Sequence, residues 1–110
     1  MSTPLVARLR AQCAGPRDGA LLRYALGNAL HDAGELDAAI AELRRAVVFD
    51  PQYSAAWKVL GKVCLAAGQR EEAGAAWRQG IAAARTRGDR QAEKEMQVFL
   101  RRVENAAPQA

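Results

Sequence analysis

Displaced by 34 positions, the sequence falls on itself, residues 20–53 over residues 54–87, with seven identities. Leu26-Gly27 meets Leu60-Gly61, Ala33-Gly34 meets Ala67-Gly68, and Ala39, Ala41 and Arg44 meet Ala73, Ala75 and Arg78. In a chain with 25 alanines the bare count carries little weight, but its placement does, because the matches are small residues and leucines at the spacing where helices approach closely. A period of this length holds one supersecondary unit, and such a unit cannot bury its apolar face alone. The chain must therefore stack like units on one another.

Within each period the apolar residues run in two stripes. Leu22, Leu26, Ala29, Leu30 and Ala33 recur near every 3.6 residues and stop at Gly34, which suits the left-handed residue that closes a helix. Leu36, Ala39, Ile40, Leu43, Ala46 and Val47 form the second stripe, which ends at Asp50-Pro51, where proline forbids further helix. The pattern returns as Ala56, Trp57, Leu60, Val63, Cys64 and Ala67 up to Gly68, then as Ala73, Ala76, Trp77, Gly80 and Ile81. In front, Thr3 suits an N-cap and Pro4 a first helical position ahead of a stripe of Leu5, Val6, Leu9 and Cys13, stopped by the glycines and proline of 15–19. Behind, Asp89 can cap a helix striped with Ala92, Met96, Phe99, Leu100 and Val103. Only eleven residues are Val, Ile or Thr, so sheet formers are scarce. An all-α single domain of about six helices is expected: an N-terminal helix and turn at 1–19, repeats at 20–53 and 54–87, a capping helix at 88–104 and a fraying tail at 105–110.

The same residues exclude several kinds of work. No uncharged stretch exceeds the eight residues Tyr24–His31, so no transmembrane helix can be built. The net charge of +4 is uneven: +2 over residues 1–19, −2 over 20–53, +4 over 54–87 and zero over 88–110. No dense basic stripe interleaved with aromatics accompanies it, which speaks against nucleic acid. Cys13 and Cys64 form no CxxC pair and only one histidine is present, so neither a metal site nor any cofactor is expected, and buried free thiols are. The N-terminus lacks a charged start followed by a long apolar run, so the protein is expected to stay in a reducing cytoplasm. Glu71-Glu72 sits at a helix start, where acids meet the positive end of the dipole. His31 and Asp32 are adjacent and so diverge by about 100° on a helix, which prevents the acid from orienting the imidazole toward Cys64 as a nucleophile would need. No enzyme is expected.

The second repeat reads Trp57-x2-Leu60-Gly61-x2-Cys64, then Gly68, Ala73-x3-Trp77 and Gly80. The first reads Arg23-x2-Leu26-Gly27-x2-Leu30, then Gly34, Ala39-x3-Leu43, Ala46 and Pro51. These motifs resemble the tetratricopeptide repeat family, with departures at Arg23, where a large apolar residue is usual, at Cys64 in place of an aromatic, and at Arg85 in place of proline. The resemblance implies a right-handed array of helical hairpins in which Trp57, Trp77 and Cys64 pack inside. It also implies a concave groove lined by the first helix of each repeat, which receives a peptide segment of another protein.

Carried over, that groove comprises Tyr24, Asn28 and His31, beside Leu21 and Ala25, then Lys58, Val59, Lys62 and Leu65 beside Ala55. Some family members clamp a partner's C-terminal carboxylate. Here Asn28 matches that clamp, and Tyr24 and Val59 replace two of its polar residues. A frame for the last helix beginning at Gly88 would place the repelling Asp89 and Glu93 in it, whereas one beginning at Asp89, which the stripe from Ala92 to Val103 fits better, would add Arg90 and Lys94. The expectation is a protein-binding scaffold or adaptor whose ligand is an acidic or C-terminal segment. Its rivals are a homodimerising structural module and a weakly RNA-associated basic protein.

Overall fold

Local residues mark the ends of the helices: side chains cap the first and last of them, and glycines or a proline close most of the others. The computed structural model describes residues 3–106 and folds them into α1 (Pro4–Ala11), α2 (Ala20–Asp32), α3 (Leu36–Phe49), α4 (Ser54–Ala66), α5 (Arg70–Arg87) and α6 (Arg90–Asn105), with no strand among the described residues. Thr3 Oγ1 accepts the Val6 amide at 3.1 Å, and Asp89 accepts the Ala92 amide at 3.1 Å. After α2, α4 and α5 the chain turns through Gly34, Gly68 and Gly88, whose φ values are +79°, +80° and +75°. At each, the next amide donates back to the helix, Glu35 to the Leu30 carbonyl, Gln69 to Cys64 and Asp89 to Ala84, at 2.8 to 2.9 Å. That bond across a left-handed residue closes a helix and reverses the chain at once. α3 stops differently, with Asp50 extended ahead of Pro51. The expected fraying of the tail falls, from Ala107 onward, outside the described residues.

Every helix packs on its neighbours in the chain, and α4 also touches α2 and α6, so α2, α4 and α6 form one layer and α3 and α5 the other. The molecule is 42 × 32 × 18 Å, and the short dimension is about two helix diameters. Leu26, Leu30, Leu43, Leu60, Val63, Cys64, Trp77 and Met96 fill the seam between the layers. Ala46, Val47 and Ala56, with Tyr24, Tyr53 and Trp57 against them, join one hairpin to the next.

The repeated glycines explain the closeness of the layers. A Cβ on Gly27 would lie 2.6 Å from Leu43 Cγ, and one on the equivalent Gly61 would run into the Trp77 indole. Because Gly61 leaves that space, the Trp77 Nε1–H reaches the Lys58 carbonyl at 3.1 Å, which satisfies a buried donor inside the core.

Two details differ from the reading of the sequence. Leu5 lies on the expected stripe of α1 but is half exposed, and Val6 is the buried residue of that helix, because α1 has only α2 to lean on. Arg23 stands at an apolar position and is nonetheless buried, 6% exposed. Its Nε and Nη2 donate to the two oxygens of Asp18 at 2.8 Å each, and Nη1 donates to Glu42 Oε1 at 2.7 Å. Asp18 also accepts the Ala14 amide at 2.9 Å, which pins the turn between α1 and α2.

Candidate functional site

The layer formed by α2, α4 and α6 shows its outer side to solvent. α4 illustrates how the sequence divides the helix: Leu60, Gly61, Val63 and Cys64 are buried, whereas Lys58 and Val59 are partly covered, Lys62 is exposed and Leu65 is 41% exposed. A spacing of three and four residues puts this second set on one face. On α2 the buried set is Leu22, Arg23, Leu26, Gly27, Ala29 and Leu30, and Tyr24, Asn28 and His31 are half-buried, whereas Leu21 is 72% exposed. The Tyr24 ring lies 4.9 Å from that of Tyr53, so Tyr24 is held in place by the segment leading into α4. The Asn28 and His31 side chains hydrogen-bond to nothing among the described residues.

α6 supplies the far wall, in a register that differs from the expected one. Asp89 is the N-cap and Arg90 the first helical residue, just as Tyr53 and Ser54 are for α4, so the repeat frame begins one residue later than Asp89. The residues brought to α4 are consequently Glu95 and Phe99 rather than Arg90 and Lys94. Glu95 Oε1 accepts from Lys58 Nζ at 3.2 Å, and Lys62 Nζ stands 5.2 Å from the centroid of the Phe99 ring. Arg90 and Lys94 are exposed and make no ion pair among the described residues. Lys58 is therefore tied to an acid of its own chain, and Lys62 is the groove lysine that carries uncompensated charge.

At the end of this face a hollow of about 380 Å³ opens between α4, α5 and α6. Lys62, Arg70 and Arg102 stand around it, and Leu65, Trp77, Phe99 and Val103 form its apolar part. Phe99 is tilted 46° against Trp77 with ring centroids 5.4 Å apart. Of these residues only Lys62 and Leu65 are groove positions of the repeat pattern, which places Trp77 inside. Arg102 and Phe99 become visible in the sequence once α6 is framed from its N-cap, whereas Arg70 opens α5 and no groove position points to it.

Nothing in this arrangement builds a nucleophile. Cys64 is wholly buried, and burial pushes its thiol up, away from the thiolate that catalysis needs. On the other layer, Val48 and Phe49 are 80% and 51% exposed at the end of α3, beside Arg44 and Arg45. No helix among the described residues is long and apolar enough to cross a membrane.

Comparison with known proteins agrees with this geometry. A family model for the TPR repeat matches residues 27–68. A TPR repeat-containing protein of Pseudomonas aeruginosa is 54% identical over 89 residues, which cover 81% of this chain and 85% of that protein. A Bordetella parapertussis protein of known solution structure is similar with a TM-score of 0.78 and 47% identity, over 94% of this chain and 90% of that one. A tetratricopeptide repeat domain protein of Salinibacter ruber gives a TM-score of 0.78 at 26% identity, over 86% of this chain and 95% of its own. With two stacked hairpins, a matching family model and a relative that shares more than half of its aligned residues, the chain belongs to the tetratricopeptide repeat family, whose fold serves as a scaffold for protein–protein interaction.

Proposed function

We propose that the chain binds a peptide segment of a partner protein along the face formed by α2, α4 and α6, and that it does so without catalysis. The observation that supports this most directly is the division of α4, where one side is sealed in the core and the other presents Val59, Lys62 and the 41% exposed Leu65 between two flanking helices. An apolar strip edged with amide, imidazole and ammonium groups suits an extended or helical peptide, with burial supplying affinity and the polar groups supplying orientation. Lys58 contributes little charge to such a ligand, since a partner's carboxylate would have to displace Glu95. Two free cysteines, Cys13 and Cys64, are consistent with work in a reducing cytoplasm.

Selection of displayed peptides against the folded chain, followed by amide chemical-shift mapping, tests the proposal. The expected shifts gather on residues 21–31, 55–65 and 91–102. Leu65→Glu weakens the selected peptides by about tenfold or more without altering the helical circular-dichroism spectrum. Shifts confined to Arg44, Arg45, Val48 and Phe49 would instead move the interface to the opposite layer.

A further inference from the structure

The hollow at the end of the groove has a chemistry more particular than the groove as a whole. In the second half of the chain four cations are paired, Lys58 with Glu95, Arg78 with Glu104, Arg85 with Glu93 and Arg87 with Asp50, while Arg90, Lys94 and Arg101 stand unpaired away from this hollow. What sets Lys62, Arg70 and Arg102 apart is that all three line one hollow and none of them makes an ion pair among the described residues. The acids nearest in sequence, Glu71, Glu72 and Glu104, line adjoining hollows and not this one, and Glu104 is taken by Arg78. Three unpaired cations thus line one hollow together with the apolar Leu65, Trp77, Phe99 and Val103.

We infer that this hollow is an anchor site for a bulky apolar side chain of a partner peptide that carries a carboxylate directly beside it. The inference rests on the peptide-binding reading of the same face and names what that face selects. The volume of about 380 Å³ lies at the small end of ligand pockets, room for a side chain rather than for a large cofactor. The apolar lining supplies no polar partner, so the inserted group must be apolar, whereas the cations demand negative charge within reach of two guanidinium forks and one ammonium. Lys62 already lies against the Phe99 face, so an incoming carboxylate meets a cation whose position is partly settled before binding. Apolar insertion and ion pairing are both needed, because exposed cations alone attract anions only weakly.

The test is a matched set of short, end-blocked peptides holding a central Phe-Asp, Phe-Asn, Ala-Asp or Ala-Asn pair, titrated by fluorescence anisotropy and mapped by indole and amide shifts. The expected result is that Phe-Asp binds at least about tenfold more tightly than the other three and shifts the Trp77 indole and Phe99 signals. Arg70→Gln and Arg102→Gln should each weaken it, while Arg90→Gln, outside the hollow, should not. Arg70→Lys and Arg102→Lys keep the charge and guard against a loss of fold, and circular dichroism checks every variant. Equal binding of Phe-Asp and Ala-Asn, or no effect of the glutamine variants, overturns the anchor. Octanoate binding as tightly as Phe-Asp would overturn the peptide assignment in favour of a small amphiphilic acid. If Phe-Asp fails while selected peptides still map to α2 and α4, the anchor is wrong and the groove stands; if neither binds, both readings fall.

Discussion

Arg23 shows how a single residue can depart from its family and still belong to its fold. Its position asks for a large apolar side chain, and in the second repeat Trp57 provides one, packing toward Ala46, Val47 and Ala56 and donating from Nε1 to the Pro51 carbonyl at 2.8 Å. Arg23 fills its site with a methylene stem and a guanidinium satisfied by two carboxylates. Removing Arg23 leaves two partly covered carboxylates without their cation, so Arg23→Met should lower the urea midpoint of unfolding. The hydrogen bonds from Arg23 hold the Asp18 carboxyl well below the usual carboxylate range. Its folded pKa is depressed, so the stabilisation is complete above the unfolded value of about 3.9 and fades as pH falls below it. Arg23→Met should therefore flatten the stability curve between about pH 5 and pH 2 as well as lower it. None of this is legible from spacing, because Asp18 and Glu42 lie 5 and 19 residues from Arg23 and only the packed hairpin unites them.

At the scale of the element, Gly61 and Trp77 act as a pair. The missing Cβ admits the indole, and the indole in turn donates to the Lys58 carbonyl of the helix it presses on. Gly61→Ala is expected to cost about 1 to 3 kcal/mol, because the neighbour to be displaced is a rigid ring with little room to yield. Gly27 faces the more pliant Leu43, so Gly27→Ala should cost less, and thermal unfolding of the two variants measures the difference. Helix ends and the alternation of layers could be read from the chain because glycine, proline and capping residues act locally. The face that α6 turns to α4 could not. Ala92, Met96, Phe99, Leu100 and Val103 make so broad a stripe that it fits frames beginning at Gly88 or Asp89, whereas the helix that Asp89 caps begins at Arg90, one residue beyond the later of the two. That one-residue difference exchanges Lys94 for Glu95 beside Lys58 and reverses the sign of the charge there. Arg70 escaped notice for a different reason: it lines the hollow from the start of α5, a helix whose face otherwise belongs to the core.

The whole molecule is a stack only two helices thick, in which each hairpin touches little beyond its neighbours. Stability in such a stack is approximately a sum of local terms, and cooperativity depends on the seam between hairpins. That seam is small, with Ala46, Val47 and Ala56 at its centre and Tyr24, Tyr53 and Trp57 around them. Both tryptophans, Trp57 and Trp77, belong to the second repeat, one hydrogen-bonded to the chain that enters it and the other to its first helix. Nature has thus placed both indole chromophores of this chain in one half and left the other half dark. Indole emission will report the melting of α4 and α5, while the amide spectrum near 222 nm counts every helix alike. Recorded on one sample through one denaturant series, the two curves should superimpose if the seam makes the stack a single cooperative unit. A gap between them would mean that the halves let go in turn, and the order of the two midpoints would say which half leads.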